Sequence, residues 1–326
     1  MALISTDLEQ AVMHLRRGEL VAIPTETVYG LAADACNPAA VAHIFKVKGR
    51  PKNHPIIVHL ASQQQLPIWA DSIPDSAYRL AEAFWPGPLT LVLQRHPQIP
   101  ATVSAGQATI GLRCPSHPLA QALLEQFGGG LAAPSANRFG RISPTQASHV
   151  LADLGDAIPL ILDGGDCSVG LESTIIGLHS GKAELLRPGG ISVDAIEQVL
   201  ACTLTHHQDA AAAGQQVPGL LAKHYAPHTP LISAPLATLI RIAEQSQAKP
   251  IGLFHLTPLA HALPHLVCQQ MPNEPQEFAQ QLYATLRHHD QRNYALLLFE
   301  APPQHTAWLA INDRLRRASQ QWLVTP

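Results

Sequence analysis

The sequence predicts an α/β fold in which a twisted mixed sheet with helices is followed by a second, smaller α/β domain. Through the first part of the chain, short apolar runs typical of strands alternate with longer runs at helical spacing. Residues 202–216 are polar and alanine-rich without any period, which indicates a linker. At 326 residues, 46% of them hydrophobic and 14% charged, the chain is long and apolar enough for two packed cores.

The helices of the first domain are marked by signals at their ends. Thr6 and Glu9 have the spacing of a capping box, and Gly18 ends the helix that follows them. Asn37 before Pro38 is a helix start with proline in the first turn, and it predicts a helix over 38–45. Further helices are predicted at 76–84, 118–127, 144–154 and 193–200.

The strands between these helices are short and apolar. They are predicted at 20–23, 56–59, 89–93, 109–112, 131–133, 160–162, 173–178 and 183–186. Several follow one another too closely for a helix to intervene, so some connections must be hairpins. We therefore expect a mixed sheet of about seven strands.

A second α/β pattern begins near residue 230. Its helices are predicted at 236–245, 275–288 and 305–319, and its strands at 251–255 and 294–299. The apolar stripes of the last two helices are core positions. We expect a three-layered domain, and divide the chain into a first domain at 1–201, a linker or lid at 202–229, and a second domain at 230–326.

Charge and composition exclude several classes of protein. The formal net charge is -3 and the pI about 6.6, so binding to nucleic acid would need a local basic patch. The N-terminus lacks a basic start followed by an apolar run, and no apolar stretch approaches the length of a membrane-spanning helix. The 5 cysteines are scattered without a Cys-x-x-Cys pair, which indicates reduced thiols in a cytoplasmic protein.

A tight group of cations occupies residues 46–52. Lys46, Lys48, Arg50 and Lys52 lie between the helix 38–45 and the strand 56–59, and no acidic residue occurs from 35 to 70. A solvated loop would also have this composition, but cations at a helix–strand junction are suited to gripping a phosphate chain. We expect the side chains of Lys48 and Arg50 to be exposed in a cleft.

Further polar segments rich in Gly, Pro, Ser and Thr follow several strands. They lie at 24–31, 133–144, 163–165, 170–174 and 187–190, and each one alone could be turn chemistry. Arg113, at the end of the strand 109–112, is a lone guanidinium suited to a carboxylate. Together these groups offer phosphate binders, a carboxylate clamp and hydroxyls, without a nucleophile–base pair. They fit a small polar substrate, a nucleotide, and catalysis by positioning and charge.

Eight stretches of the chain resemble the Sua5/YrdC family. They are PTETVYGL, KGRP with HPIIVHL, FWPGPLTLVL, TIGLRCPSHP, APSANRFGRISPT, GLESTI, LRPGGIS and HYAP. They occur in the family's order from residue 24 to residue 227, with weaker similarity in INDRLRRAS near the end. The resemblance is to the long Sua5 type, which implies a YrdC-like first domain and a smaller, Rossmann-like C-terminal domain.

The resemblance also implies an activity, that of threonylcarbamoyl-adenylate synthases. These enzymes convert L-threonine, bicarbonate or CO2 and ATP to threonylcarbamoyl-AMP and pyrophosphate. The product serves the N6-threonylcarbamoyl modification of adenosine 37 in tRNA. The implied partners are the three substrates and a tRNA threonylcarbamoyltransferase that receives the product, with weak binding of tRNA itself. Mg2+ would accompany ATP and be held mainly by phosphate oxygens.

The family's motifs carry site residues onto this chain one by one. Lys48 and Arg50 fall on its basic motif and are the expected catalytic residues. ATP contacts are implied for Arg50, His54, Thr109, Ser135, Asn137, Ser143, Arg187 and Tyr225. Threonine contacts are implied for Thr27, His59, Arg113, the backbone of Ala133, and Ser173. The chain departs from the family at His54, where asparagine is usual, and at Gly177, where an acid is common; metal ligands are not implied.

The expected mechanism has two stages, formation of a carbamate on the threonine amine and attack of that carbamate on the α-phosphorus of ATP. Because the carbamate is unstable in water, the HYAP segment around Tyr225 is expected to act as a lid. We also expect Tyr225→Ala to leave the melting temperature nearly unchanged. Three alternatives remain open: an RNA-binding module, a carbamoyltransferase of the hydrogenase-maturation type, and a purely structural role for the C-terminal domain.

Overall fold

The structure is a computed structural model that describes residues 1–178, 182–206, 224–247 and 250–323. It divides into two compact units, of which the first comprises Met1–Phe139 and Ser143–Leu220. The second comprises Gly140–Ile142 and Leu221–Pro326. Most of the predicted linker, including Pro218 and Gly219 of the expected lid, falls outside the described residues. None of the helices that are described is both long and apolar enough to cross a membrane.

The described part of the first unit contains a sheet of 11 strands. They are β1 (Leu3–Ser5), β2 (Val21–Ile23), β3 (Gly30–Asp34), β4 (Val58–His59), β5 (Leu89–Gln94), β6 (Thr109–Arg113), β7 (Leu131–Ala132), β8 (Leu160–Leu162), β9 (Thr174–Gly177), β10 (Glu184–Arg187) and β11 (Thr205–His206). The strand order is β1-β8-β2-β3-β7-β4-β6-β5-β9-β10-β11, with parallel and antiparallel pairs mixed. The predicted mixed α/β class is therefore confirmed.

The helices of this unit are α1 (Leu8–Arg16), α2 (Pro38–Lys48), α3 (Leu66–Trp69), α4 (Asp75–Phe84), α5 (Pro118–Phe127), α6 (Ala147–Leu154) and α7 (Val193–Leu200). The predicted capping box of α1 is wrong, because Asp7 caps the helix and its carboxylate accepts from the Gln10 amide at 3.0 Å. Asn37 does cap α2, as its position before Pro38 predicts.

Strand β3 was not predicted from the sequence. It reads Gly-Leu-Ala-Ala-Asp, which has little β propensity, yet it lies between β2 and β7 and pairs antiparallel with both. Residues 20–33 are buried throughout, so tertiary packing outweighs the weak local preference. The first core is built from α1, α5 and the strands β2, β3, β7 and β8, with Leu15, Leu123 and Leu160 among its fully buried members.

The second unit is a parallel α/β layer structure. Its strands are β12 (Leu231–Ala234), β13 (Ile251–His255), β14 (Val267–Gln270), β15 (Leu296–Glu300) and β16 (Gln321–Trp322), in the order β14-β13-β15-β12-β16. Every pair is parallel. Its helices are α8 (Leu236–Gln245), α9 (Pro275–Asp290) and α10 (Leu309–Ala318). Its core packs α8 against β12, β13 and β15 through Leu239, Leu253 and Leu298.

Candidate functional site

A row of polar side chains crosses five neighbouring strands of the first unit. His59 on β4 pairs with Arg113 on β6, and Arg113 pairs with Thr90 on β5. Residues directly opposite one another point to the same face of a sheet. The row continues through the Thr90 hydroxyl, which lies 2.7 Å from that of Ser173 just before β9. Arg187 on β10 completes it by donating to the Ser173 carbonyl at 2.8 Å.

The loop after β10 approaches the end of this row closely. A side chain at Gly189 would place its Cβ 2.3 Å from the carbonyl carbon of Ser173 and 2.4 Å from the carbonyl oxygen of Glu172. Only glycine fits there, because both contacts are backbone atoms that cannot turn aside. The Pro-Gly-Gly sequence after Arg187 thus fixes β10 and its arginine against Ser173.

Arg113 is not the lone guanidinium that the sequence suggests. Its Nη1 donates to the Thr27 hydroxyl at 2.8 Å, and its Nη2 lies 2.8 Å from Oε1 of Glu26. The second contact is an ion pair without the alignment of a hydrogen bond, since neither atom has a hydrogen-bond partner among the described residues. The basic site at the end of β6 is therefore a buried Glu26–Arg113 pair with Thr27 beside it.

The segment 24–29 that supplies Glu26 and Thr27 is a fixed turn. The Thr25 hydroxyl donates to the Val28 carbonyl at 2.6 Å and lies 2.9 Å from the Thr27 hydroxyl. At its end, the Tyr29 phenol donates to the Gly165 carbonyl at 2.8 Å. Burial raises the pKa of Tyr29 far above its ordinary value, so the phenol stays protonated as a donor.

His59 is buried beside Arg113. Burial first, and then the charge of Arg113, lower the pKa of His59 to about 3. Its imidazole is therefore neutral at physiological pH, and its Nδ1 has no hydrogen-bond partner in the part of the chain that is described. A neutral ring can accept or donate a hydrogen bond without adding charge to the site.

Lys48 and Arg50 are buried, which contradicts the expectation that both are exposed. Lys48 ends α2 with 2% of its surface exposed, and its ammonium donates to the carbonyls of Ser135 and Asn137 at 2.5 Å each. Burial, and then the charge of Arg50, hold the pKa of Lys48 well below its ordinary value. Arg50 is 8% exposed and donates to the Pro55 carbonyl at 2.9 Å.

The cause of this burial is the end of α2. Gly49 adopts the left-handed conformation, with φ 66, and turns the chain so that the Arg50 amide bonds back to the Phe45 carbonyl at 3.0 Å. The turn brings Lys48 and Arg50 inward, while Lys46 and Lys52 remain exposed. The four cations therefore separate into two buried and two solvated ones.

The residues around this basic pair include several predicted ATP contacts. The Arg50 guanidinium lies 5.8 Å from the centre of the Phe139 ring, and the His54 ring packs edge-on against the same ring at 5.5 Å. Burial, and then Arg50, lower the pKa of His54. Ser143 donates to the Glu172 carboxylate at 2.6 Å. Ser135 forms a bridge with Gly30 at the start of β3.

Thr109 and Ala133 lie at other points of the sheet. Thr109, Gly111 and Arg113 alternate along β6 and therefore share one face, with Thr109 roughly 13 Å from Arg113. Gly111 adds no side chain between them, and a Cβ at that position would lie 3.4 Å from the Ile57 side chain and 3.5 Å from that of Thr90. Ala133 follows β7, and its amide donates to the Ile57 carbonyl at 3.0 Å.

Tyr225 belongs to the second unit. It is 1% exposed, has φ 62, and stacks on Tyr283 with ring centres 5.8 Å apart. The Arg314 guanidinium lies 5.2 Å from the centre of its ring. The turn around Tyr225 is held by the Ala226 amide, which donates to the Gly140 carbonyl at 3.1 Å.

The sequence left three polar residues of this region without a role. Glu26 was visible only as the acid of the PTET motif, Thr90 looked like one residue of an apolar strand, and Glu172 looked like part of a turn. The alternation of β5, which puts Thr90 on the face of Arg113, could have indicated the second of these. The contact of Glu26 with Arg113 and that of Glu172 with Ser143 join segments far apart in the chain, and nothing in the local sequence indicates them.

Comparisons with known proteins show which family this chain is similar to. Residues 13–189 match the sequence model of the Sua5/YciO/YrdC family, described as "Telomere recombination", and residues 191–320 match that of the threonylcarbamoyl-AMP synthase C-terminal domain. The chain is 38% identical to the threonylcarbamoyl-AMP synthase of Pyrococcus abyssi in an alignment of 318 positions, which covers 94% of this chain and 92% of that protein. It is also 38% identical to that of Bacillus subtilis in an alignment of 323 positions, which covers 96% and 92% of the two chains.

A solved structure gives the same relationship. The crystal structure of P. abyssi Sua5 complexed with L-threonine superposes with a TM-score of 0.89 at 34% identity, and the match covers 100% of both chains. Both units are therefore present in the relative, in the same order. The chain belongs to the Sua5/YciO/YrdC family, in its long form with a Sua5 C-terminal domain.

Proposed function

We propose that this protein is a threonylcarbamoyl-AMP synthase. It is a nucleotidyltransferase that converts L-threonine, bicarbonate or CO2 and ATP to threonylcarbamoyl-AMP and pyrophosphate for the modification of tRNA. The two family matches and the relatives over nearly the whole chain support this activity. The observation that carries it is the row of His59, Arg113 and Ser173 beside Thr27, which offers a guanidinium and two hydroxyls on one face.

We assign the threonine contacts to this row. Arg113 would bind the carboxylate, because a guanidinium presents paired donors that match its two oxygens. Thr27 and Ser173 would exchange hydrogen bonds with the threonine hydroxyl, and neutral His59 and the backbone of Ala133 would complete the contacts. The crystal structure of the P. abyssi relative with L-threonine supports a threonine site in this fold.

We assign the nucleotide to the surroundings of the basic pair. Arg50 would contact phosphates directly, with His54, Thr109, Ser135, Asn137, Ser143 and Arg187 as the further ATP contacts of the first unit. Lys48 would act differently, because its ammonium is bonded to the carbonyls of Ser135 and Asn137. It would hold that loop in place while its charge favours the reacting anions, the carbamate and the triphosphate.

The remaining roles rest on the chemistry of the substrates. Mg2+ binds oxygen ligands and keeps several waters, so we propose that phosphate oxygens hold it mainly. Glu172 accepts a hydrogen bond from Ser143, one of the proposed ATP contacts, and so places a carboxylate beside the proposed nucleotide site. We further propose Tyr225 as an ATP contact on a lid, and a tRNA threonylcarbamoyltransferase as the recipient of the product. The domain division at 1–201, 202–229 and 230–326 and a cytoplasmic location also remain proposals.

Pyrophosphate release from ATP tests the activity. We expect release only when threonine and bicarbonate are both present, with threonylcarbamoyl-AMP detected as the matching product. Serine should replace threonine far better than valine or 2-aminobutyrate, because a site built to bond a hydroxyl rejects an analogue that lacks it. Release that is independent of threonine would overturn the proposal, and valine acting as well as serine would overturn the role of the hydroxyl partners.

A further inference from the structure

Glu26 is a buried carboxylate whose polar atoms are not satisfied. It is 5% exposed, and neither of its side-chain oxygens accepts a hydrogen bond from any residue that the structure describes. Buried carboxylates in folded proteins are ordinarily hydrogen-bonded, because an unsatisfied one keeps its full desolvation cost. The carboxylate of Glu26 is therefore arranged for a donor that the described part of the chain does not supply.

Arg113 lacks hydrogen-bond acceptors, just as Glu26 lacks donors. Nη1 donates to Thr27, but Nε and Nη2 have no hydrogen-bond partner among the described residues, although Nη2 lies 2.8 Å from the Glu26 carboxylate. The opposite charges of the pair cancel each other, but no hydrogen bond is aligned between the two groups. Two acceptor oxygens and two donor nitrogens thus remain available in one buried place.

The chemistry of the pair selects one class of ligand. A simple anion would satisfy Arg113 but would be repelled by Glu26. A simple cation would satisfy Glu26 but would be repelled by Arg113. An α-amino acid zwitterion presents a carboxylate to the guanidinium and an ammonium to the carboxylate, and it brings no net charge into the buried site. Its two charged groups are attached to one carbon, which suits a Glu–Arg pair already in contact.

The surroundings keep Glu26 in this position and add no competing charge. Its carbonyl accepts from the Val169 amide at 2.7 Å, which fixes the backbone. Two neighbouring thiols stay protonated: burial raises the pKa of Cys114 to about 11 and that of Cys167 to about 12, and the charge of Glu26 adds to both. Arg113 is the cation in contact with Glu26 among the residues that are described.

We propose that Glu26 binds the α-ammonium group of the substrate amino acid and so makes the site specific for a free α-amino acid. Threonine would insert its carboxylate at Nε and Nη2 of Arg113 and its ammonium at Glu26, and would thereby complete hydrogen bonds that the pair by itself lacks. Glu26 is then a substrate-binding residue, held in place by the turn at 24–29. This inference rests on the threonine site of the proposed function and names one further contact of it.

Calorimetric binding to the full chain tests the inference without ATP. The ligands are L-threonine and 2,3-dihydroxybutanoate, which replaces the ammonium by a hydroxyl. The variants are Glu26→Gln and the control Glu19→Gln, at a partly exposed position where the carboxylate pairs with His14. A hydrogen bond to a charged group is worth roughly 10- to 100-fold in affinity. We expect the unaltered protein and Glu19→Gln to prefer threonine by about that factor, and Glu26→Gln to bind the two ligands within about threefold of each other.

The inference is overturned if Glu26→Gln keeps the full preference for threonine, or if it weakens both ligands equally. Should Glu26→Gln fail to fold, the affinities of the unaltered protein provide the test, and equal affinity for threonine and 2,3-dihydroxybutanoate would overturn the ammonium contact. If the unaltered protein prefers threonine, Glu26→Asp should reduce that preference. The proposed function fails in a different way, since an unaltered protein that does not bind threonine at all would contradict the threonine site itself.

Discussion

At the scale of single residues, the basic pair at the end of α2 shows how burial changes the meaning of a charge. Lys48 and Arg50 look alike in the sequence, but Lys48 is bonded to two carbonyls, whereas Arg50 donates to the Pro55 carbonyl and packs near the Phe139 ring. The buried ammonium of Lys48 joins the loop at 135–137 to α2, so it has a structural role as well as an electrostatic one. Their variants should therefore differ in stability even where both lose activity.

We expect Lys48→Met and Arg50→Ala each to lower pyrophosphate release by at least about 100-fold. Lys48→Met should also destabilise the fold by about 2 kcal/mol, because the Ser135 and Asn137 carbonyls each lose a charged hydrogen-bond donor. Thermal unfolding and the pyrophosphate assay measure the two effects. Lys46→Ala and Lys52→Ala are matched controls, since they remove a cation from exposed positions of the same segment. Near-normal release by both test variants would contradict the catalytic assignment.

His59 gives a prediction about pH. Its pKa is about 3 in the folded protein, against an ordinary value of 6.5, so the unfolded chain binds more protons between these two values. Stability must therefore fall as pH falls through this window. We expect the unaltered protein to lose about 2 kcal/mol more than His59→Gln between pH 7 and pH 5.

Denaturant titrations of the two proteins at both pH values measure this difference. His43→Gln, at an exposed position of α2, serves as the control and should keep the pH dependence of the unaltered protein. If His59→Gln loses as much stability as the unaltered protein, the histidine is not buried in its neutral form.

At the scale of elements, the segment around Tyr225 is more firmly packed than a solvent-exposed lid would be. Tyr225 is almost fully buried between the Tyr283 ring and the Arg314 guanidinium, so Tyr225→Ala would remove a large core side chain. Such truncations cost about 3–5 kcal/mol. In place of a nearly unchanged melting temperature, we therefore expect Tyr225→Ala to lower it clearly, which makes that variant unsuited to testing a contact with ATP.

Tyr225→Phe is the sharper test, because it keeps the ring and removes only the hydroxyl. If that hydroxyl contacts ATP as proposed, the KM for ATP should rise by roughly 5- to 10-fold, with the melting temperature within a few degrees. Tyr294→Phe makes the same change at another buried tyrosine of the second unit and should leave the KM unaltered. An unchanged KM in Tyr225→Phe would remove the hydroxyl from the list of ATP contacts.

At the scale of the whole molecule, the first unit has the features of an independent domain. It contains its own core and the whole row of His59, Arg113 and Ser173. We expect residues 1–200 to fold cooperatively, because among the described elements of the first unit they lack just the short edge strand β11. They should make threonylcarbamoyl-AMP more than about 10 times more slowly, because the proposed lid shields a carbamate that water destroys. Synthesis at the full-length rate would show that the second unit has no part in the reaction.

Circular dichroism should establish first that residues 1–200 are folded, so that a loss of activity can be attributed to the missing residues and not to unfolding. Addition of the missing residues as a separate chain is a useful second measurement. Failure of that chain to restore activity would agree with a lid that works only when it is tethered.

The α/β class, most of the helices, and the segments that carry the polar groups were predictable from the sequence. These follow from local chemistry: Asn37–Pro38 starts α2 wherever it lies, and apolar runs bounded by Gly and Pro form strands. The individual ATP and threonine contacts came from the family resemblance, and they await the experiments above. Strand β3 escaped sequence-based prediction because Gly-Leu-Ala-Ala-Asp becomes a strand only between β2 and β7.

Which charges are buried, and which groups they contact, depends on the packing of the folded chain. Glu26 and Arg113 are 87 positions apart in sequence and yet in contact, and Lys48 reaches carbonyls that are just as remote along the chain. Such pairs depend on how strands from distant segments come together in one sheet. A side chain's solvation and partners set its pKa and its chemistry, and these are properties of the fold that no stretch of sequence contains.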